Sequence, residues 1–144
     1  MNRLTPRALV LLLPIALGLA VQAQAPPAPQ RIVSLVPAVT EMLFAIGAGP
    51  QVVGVSSFDK YPEDVKTRAR VGALVDPDVE RILSLRPDLV AVYATQDELR
   101  TQLARAGIAS FVYKHHGLPD ITASMRALGV ATGRAEGGER AARA

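Results

Sequence analysis

The chain has 144 residues, which is enough for one ordinary domain and too few for two sizeable ones. It contains no cysteine, so disulfides, thiolate metal sites, cysteine nucleophiles and a lipid-modified cysteine behind a signal peptide are excluded. Its 16 Lys and Arg residues against 13 Asp and Glu leave a small positive balance, and no basic patch interleaved with aromatic residues indicates a nucleic-acid partner.

The N-terminus has the pattern of an export signal. Two arginines precede an apolar run over residues 8–21, and Val21-Gln22-Ala23 supplies the small residues of a cleavage site. A retained membrane anchor would need roughly 20 apolar residues, whereas this run is shorter and is interrupted by a proline and a glycine. We therefore expect a cleaved signal peptide over residues 1–23, no membrane anchor after cleavage, and an extended proline-rich linker over residues 24–30.

Residues 31–55 follow the pattern of a strand, a helix and a second strand. The apolar residues of the first strand, Ile32, Val33 and Leu35, suit a buried parallel sheet. Pro37 suits the first turn of a helix, where its missing N–H is no loss. The apolar face of that helix recurs at i, i+3, i+4 and i+7, at Val39, Met42, Leu43 and Ile46. Gly47 and Gly49 are expected to end the helix before a strand over Val52–Val55.

The rest of the chain repeats this alternation after a polar loop over 56–70, which includes a short helical turn at 63–66, and a short apolar run over 71–75. The predicted strands are Leu89–Tyr93 and Ser110–Tyr113. The predicted helices start at Asp76-Pro77-Asp78, at about Asp97 and at Asp120, which caps the last one. Their inward faces are expected to carry Val79, Ile82 and Leu83, then Leu99, Leu103 and Ala106, then Ile121, Met125 and Leu128.

Strands that alternate with helices of about ten residues predict an α/β fold with a doubly wound, mainly parallel sheet flanked by helices. Ligands of such folds bind beyond the carboxyl ends of the strands. The loops that begin at Val36, Ser56, Ala94 and Lys114 are therefore expected to share one rim. The tail over 135–144 is predicted to begin another helix, with nothing to pack against.

Few residues carry recognisable chemistry. The chain lacks a dinucleotide fingerprint, a phosphate-binding loop and a nucleophile elbow. His115 and His116 on a rim loop are either solvated or ligands of a metal or haem. Glu80, in the first turn of a helix, is either a carboxylate that the helix dipole stabilises or a charge presented to a partner. Phe58 and Tyr93, at strand ends, either pack internally or contact a flat apolar ligand.

Three segments together resemble a known family: RIVSLVPAVTEMLFAIGAG, VVGVSSFDKYPEDV and PDVERILSLRPDLVAVY. They are similar to the N-terminal lobe of the periplasmic binding proteins of cobalamin, haem and iron–siderophore ABC importers, with the cobalamin branch nearest. The resemblance runs from Arg31 to about Arg134. It implies a metal-chelate binding fold of two α/β lobes joined by one long helix. Residues 31–134 would form the first lobe and 135–144 the start of the joining helix, with the second lobe absent.

The resemblance also implies roles for five residues. Pro37 would lie at the floor of the ligand cleft. Phe58 and Tyr93 would line it in place of a family tyrosine and tryptophan. Leu74 stands where cobalamin binders can carry a stacking tryptophan, a difference that keeps haem and siderophores open as ligands. Glu80 matches the family glutamate that pairs with arginines of the membrane permease. No catalytic residue, metal ligand or cofactor is implied.

The sequence thus predicts a non-enzymatic, periplasmic solute-binding protein that delivers a metal chelate, cobalamin or a related corrinoid, to an ABC permease in the inner membrane. The first alternative is haem or a ferric siderophore on the same scaffold, with Tyr93, Tyr113, His115 or His116 as ligands. Two further alternatives are a small exported α/β enzyme and a truncated product without function.

Overall fold

The structure is a computed structural model, and it describes residues 27–115 and 117–144. The predicted signal peptide and the first part of the predicted linker lie outside the described residues. The strands are β1 (Ile32–Ser34), β2 (Val52–Val55), β3 (Ala69–Arg70), β4 (Leu89–Tyr93) and β5 (Ala109–Tyr113). The helices are α1 (Pro37–Ala45), α2 (Val79–Ser84), α3 (Asp97–Arg105), α4 (Leu118–Ala131) and α5 (Ala135–Arg143). Short 3-10 helices cover Gly49–Gln51 and Glu63–Thr67.

The strands form one five-stranded sheet in the order β3-β2-β1-β4-β5, and every pair in it is parallel. The predicted doubly wound α/β fold is confirmed. The chain builds outward from β1 to β3 and then returns to place β4 on the other side of β1. The direction of winding therefore reverses between β1 and β4, which is where ligands of such sheets bind.

Apolar side chains cover both faces of the sheet. One face packs against α1 and α4, with Ile32, Val39 and Leu128 buried among its residues. The other face packs against α2 and α3, with Val33, Val90 and Leu103 in its core. This arrangement leaves the edge at the carboxyl ends of the strands free for the loops. No helix among the described residues is long and apolar enough to cross a membrane.

Two residues predicted to face inward do not. Leu83 on α2 is 40% exposed, and Ala106 lies on the surface just after α3. Helix α2 has six residues, and Ile82 is the side chain that it fully buries. The buried face of α2 is therefore narrower than the apolar periodicity of the sequence indicated. Ala106 is already the C-terminal cap of α3, beyond the last turn that packs on the sheet.

Two element boundaries also differ from the sequence interpretation. The polar loop predicted up to Arg70 ends in the short edge strand β3, whose two residues pair with Gly54 and Val55. Asp120 does not cap α4, because the helix begins two residues earlier at Leu118, with Pro119 in its first turn. Proline favours that position, since its fixed φ suits a helix start.

The expectation that the tail has nothing to pack against is wrong. Helix α5 packs along α4, and its Gly137 and Gly138 are buried. A Cβ built on Gly138 would lie 3.1 Å from the Cα atom of Gly129 on α4, and one built on Gly137 would collide with the carbonyl oxygen of Ile46. Arg126 on α4 also pairs with Glu139 at 3.0 Å. The absence of side chains at these glycines is what lets the backbones approach so closely.

Candidate functional site

The turn after β1 is fixed by buried hydroxyl groups. The carbonyl oxygen of Val36 accepts hydrogen bonds from the backbone N–H of Thr40 at 2.9 Å, from the Thr40 hydroxyl at 3.3 Å and from the Ser34 hydroxyl at 3.1 Å. Ser34 and Thr40 are fully buried. Pro37 begins α1 immediately beyond this turn and is half-buried. The predicted cleft-floor residue therefore lies on a rigid turn at the switch point of the sheet.

The loop after β2 holds Phe58 in solvent. Its side chain is 68% exposed, although its backbone N–H donates to the Ser56 hydroxyl at 3.0 Å. The Arg70 guanidinium donates to the carbonyl oxygens of Ser56 and Asp59, each at 2.9 Å. Ser57 N–H donates to the carbonyl oxygen of Gly72 at 2.7 Å. The Phe58 ring is therefore exposed on a loop that hydrogen bonds hold in place, where it is accessible to a ligand or a partner.

The loop after β3 carries Leu74, which is 38% exposed, and Val75, which is 89% exposed. Its anchor is Gln96, a buried residue that the sequence analysis did not single out. The Gln96 side-chain amide donates to the carbonyl oxygen of Leu74 at 2.9 Å, and its oxygen accepts from the backbone N–H of Tyr93 at 2.9 Å. Gln96 therefore joins the Leu74 loop to the end of β4.

Tyr93 and Tyr113 end the neighbouring strands β4 and β5. Their rings meet edge to face, with centroids 5.5 Å apart and planes at 71°. Tyr93 is half-buried, whereas Tyr113 is 1% exposed and its hydroxyl lies 3.1 Å from Nδ1 of His115. Burial raises the pKa of Tyr113, with smaller contributions from Tyr93 and Asp120. This hydroxyl therefore stays protonated at neutral pH.

Two surface cavities lie along this edge. The first, ≈ 300 Å³, is lined by Leu74, Val75, Pro77, Val79, Gln96 and the start of α3. The second, ≈ 400 Å³, is lined by Tyr93, Tyr113 and His115 with the backbone that follows each strand. Thr95 borders both cavities, so Leu74 and Tyr93 open onto adjoining surfaces. Neither cavity includes Pro37, Phe58 or Glu80 in its lining.

Glu80 lies in the first turn of α2, where the sequence placed it. The Asp78 carboxylate caps this helix by accepting from the backbone N–H of Arg81 at 2.9 Å. Glu80 is exposed, and within residues 27–115 and 117–144 no hydrogen bond or ion pair engages its carboxylate. Its charge is free for a partner, and its assignment to permease docking stays a prediction.

Histidine ligation remains a prediction as well. His115 is exposed, and its Nδ1 faces the Tyr113 hydroxyl. His116 lies outside the described residues. No group of three His, Cys, Asp or Glu side chains in the described part of the chain is placed to hold a metal ion.

Replacing Gln96 with leucine is expected to lower the free energy of unfolding by about 2–4 kcal/mol, because it leaves two partly buried backbone groups without their hydrogen-bond partner. Those groups are the Tyr93 N–H and the Leu74 carbonyl. Urea denaturation followed by circular dichroism measures the change. Gln102→Leu, in the same cavity lining, is the control, because the one hydrogen bond of the Gln102 amide among the described residues is a 3.5 Å contact with Glu98 on the surface. Equal losses in the two variants would contradict the anchoring role of Gln96.

The comparisons with known proteins agree on one family. The pattern of the family described as "Periplasmic binding protein" matches residues 32–143. The vitamin B12-binding protein of Pectobacterium carotovorum is 38% identical over 116 residues, covering 79% of this chain and 42% of that protein. The chain thus spans less than half the length of this relative.

Solved structures give the same result. The periplasmic vitamin B12 binding protein BtuF of Vibrio cholerae matches with a TM-score of 0.75 at 29% identity, over 81% of this chain and 46% of that one. The periplasmic heme-binding protein RhuT from Roseiflexus sp. RS-1, in apo form, matches with a TM-score of 0.73 at 35% identity, over 79% and 45%. The five-stranded parallel fold and the matched pattern together show that the chain belongs to the periplasmic binding protein family.

Proposed function

We propose that this chain is a ligand-binding lobe of a periplasmic solute-binding protein that serves an ABC importer, and that its ligand is cobalamin or a related corrinoid. The lobe captures the ligand reversibly and without covalent chemistry. Its predicted signal peptide directs it to the periplasm. A second lobe, which the resemblance implies, supplies the facing wall of the cleft, and α5 begins the helix that joins the two lobes.

The observation that carries the proposal is the rim at the carboxyl edge of the sheet. Phe58 and Leu74 are exposed there although their loops are held by hydrogen bonds between buried side chains and the backbone, and Tyr93 lies beside the Leu74 loop. Apolar side chains on rigid loops form a preformed surface, which a large, flat, partly apolar ligand can cover. The B12-binding relatives among the matched proteins favour a corrinoid as that ligand.

Haem is the second candidate, because Tyr93, Tyr113 and His115 form a cluster that borders one cavity. The similarity to RhuT points the same way. Against this reading, Tyr113 is buried and its hydroxyl already faces His115, so a metal would have to displace that contact. A corrinoid needs only the exposed faces of the side chains.

Titration of the isotope-labelled chain with cyanocobalamin, followed by NMR, tests the proposal. Amide signals from the segments around Pro37, Phe58, Leu74 and Tyr93 are expected to shift together. The affinity should be weak compared with that of a two-lobed relative, because one open face buries less of the ligand than a closed cleft does. A parallel titration with haem, followed by its Soret absorbance, detects ligation by tyrosine or histidine. Shifts confined to haem would overturn the corrinoid assignment.

Replacing Tyr93 with alanine is expected to weaken cyanocobalamin binding by about threefold to tenfold, since an aromatic contact contributes about 0.5–1.5 kcal/mol. Tyr93→Phe is the matched variant, because it keeps the ring and removes the hydroxyl. A packing role predicts near-normal affinity for Tyr93→Phe, whereas ligation of haem iron through the phenolate predicts loss. An unchanged dissociation constant in Tyr93→Ala would place Tyr93 outside the ligand surface.

The proposed binding function excludes catalytic turnover of the ligand. An exported α/β enzyme would show catalysis that a single rim substitution abolishes, and such a result would replace the binding proposal. A truncated product without function would show no ligand shifts at the rim with any metal chelate.

A further inference from the structure

Asp59 is a buried acid on the loop that carries Phe58. The residue is 3% exposed, and neither carboxylate oxygen lies in full hydrogen-bond geometry with a donor in the part of the chain that the structure describes. Its neighbour Arg70 does not form an ion pair with it, because the guanidinium instead donates to the backbone carbonyls of Ser56 and Asp59. A buried, unpaired carboxylate is costly, so this position calls for an explanation.

The surroundings of Asp59 join two parts of the proposed ligand surface. Thr40, from the first turns of α1, and Ser56, from the end of β2, are the polar side chains that act on its carboxyl group. Thr40 also bonds the Val36 carbonyl and so belongs to the turn that carries Pro37. Ser56 in turn accepts from the Phe58 N–H. The Asp59 carboxyl group thus lies between the Pro37 turn and the Phe58 loop.

We infer that Asp59 is a positioning residue for ligand binding: its uncharged carboxyl group seats the Phe58 loop against α1, and ionisation loosens that seat. The predicted effect on ligand affinity rests on the proposed function, whereas the predicted effect on the loop rests on the contacts of Asp59 alone. Phe58 directly precedes Asp59 in the chain, so a shift of Asp59 toward water also moves the Phe58 ring. Asp59 itself need not touch the ligand.

The electrostatics give the direction of the effect. Burial raises the pKa of Asp59 above its ordinary value of 3.8. The Thr40 and Ser56 hydroxyls, the Ser56 backbone and the charge of Arg70 oppose this rise, and Arg70 is the charged side chain among the described residues that acts on it. Because the folded state holds the proton more tightly than the unfolded state, unfolding free energy falls as pH rises from 3.8 through the folded-state pKa.

The test compares the unmodified chain with Asp59→Asn, which keeps the shape and removes the charge change. NMR amide signals of Ser57, Phe58 and Lys60 are followed from pH 4 to pH 8 without ligand. The unmodified chain is expected to show one titration with a midpoint above 3.8, and Asp59→Asn is expected to keep the acid-limit signals throughout. Loop signals that titrate equally in both proteins, or in neither, would overturn the inference.

A second variant covers the case in which Asp59→Asn does not fold. Thr40→Val keeps the side-chain volume and removes the hydroxyl that favours the charged carboxylate. It is expected to move the loop midpoint to higher pH, which a merely structural role of Thr40 would not do. An unmoved midpoint in Thr40→Val would remove Asp59 as the titrating group.

Cyanocobalamin affinity at pH 5 and at pH 8 tests the consequence. The unmodified chain is expected to bind about threefold to tenfold more weakly at pH 8, in proportion to the fraction of loops that are seated, and Asp59→Asn is expected to show no such difference. A loop titration with unchanged affinity would overturn the positioning role and leave the proposed function intact. If cyanocobalamin does not bind at either pH, the proposed function fails, and the loop titration still decides whether Asp59 seats the loop.

Discussion

Replacing Gly137 with alanine is expected to lower the free energy of unfolding by about 2–4 kcal/mol. Gly137 is buried where α5 crosses the end of α1, and a Cβ at this position would collide with the carbonyl oxygen of Ile46 and lie 2.9 Å from its carbonyl carbon. The obstacle is backbone at the end of α1, where the Ile46 N–H donates to the Met42 carbonyl oxygen at 2.9 Å, so it cannot rotate away as a flexible side chain would. Helix α5 must shift outward or the helix must lose its contact with α1.

Urea denaturation followed by circular dichroism measures this change. Gly107→Ala is the matched control, because a Cβ there meets nothing within 4 Å and only the positive φ of 72° opposes it. That backbone strain costs about 1–2 kcal/mol. A Gly137→Ala variant no less stable than Gly107→Ala would show that α5 does not rest on α1 as described. A fall in the slope of the transition would instead indicate that α5 detaches separately.

The packing of α5 shows why the sequence interpretation missed it. Residues 135–143 contain no large apolar side chain, so periodicity finds no face to bury. The contact depends on the small size of Gly137 and Gly138, and glycine within a helix ordinarily signals weakness. By contrast, α1 has four apolar residues at helical spacing, and Val39, Met42 and Leu43 within it are buried as predicted. Burial by large side chains can be read from sequence, whereas close backbone approach cannot.

The candidate site divides in the same way. The sequence could place Pro37, Phe58 and Tyr93 at the rim, because each lies at or just after the end of a predicted strand and parallel strands all end at one edge of the sheet. Gln96 and Asp59 lie in polar segments and look like ordinary loop residues, yet both are buried. Their burial comes from contacts with residues far along the chain, such as Leu74 for Gln96 and Thr40 for Asp59. Such partners become visible only once the sheet order is known.

If Glu80 docks to an ABC permease, as the resemblance predicts, replacing it with alanine is expected to lower the affinity of the ligand-loaded protein for that permease by at least about tenfold, while ligand affinity stays unchanged. Among the described residues Glu80 has no hydrogen bond or ion pair, so it contributes to the lobe only a small interaction with the dipole of α2. Truncating one member of a docked charge pair, by contrast, leaves the other member unpaired. Glu80 lines neither of the two cavities beside the predicted ligand residues, so the two effects are separable. Stability should also be unchanged within about 0.5 kcal/mol.

Binding to the permease in lipid nanodiscs, with cyanocobalamin affinity measured in parallel, provides the two readouts. Glu136→Ala is the matched control, since Glu136 is likewise an exposed glutamate in the first turn of a helix and lines neither of the two cavities. An equal loss of docking in both variants would reduce the effect to general charge attraction, which falls steeply with added salt. A loss confined to Glu80→Ala would indicate a specific charge pair. A charge swap tests that pair: a Glu80→Arg variant should regain docking when the permease arginine opposite it is replaced with glutamate. Weakened ligand binding in Glu80→Ala would contradict the docking role, because it would place Glu80 on the ligand surface.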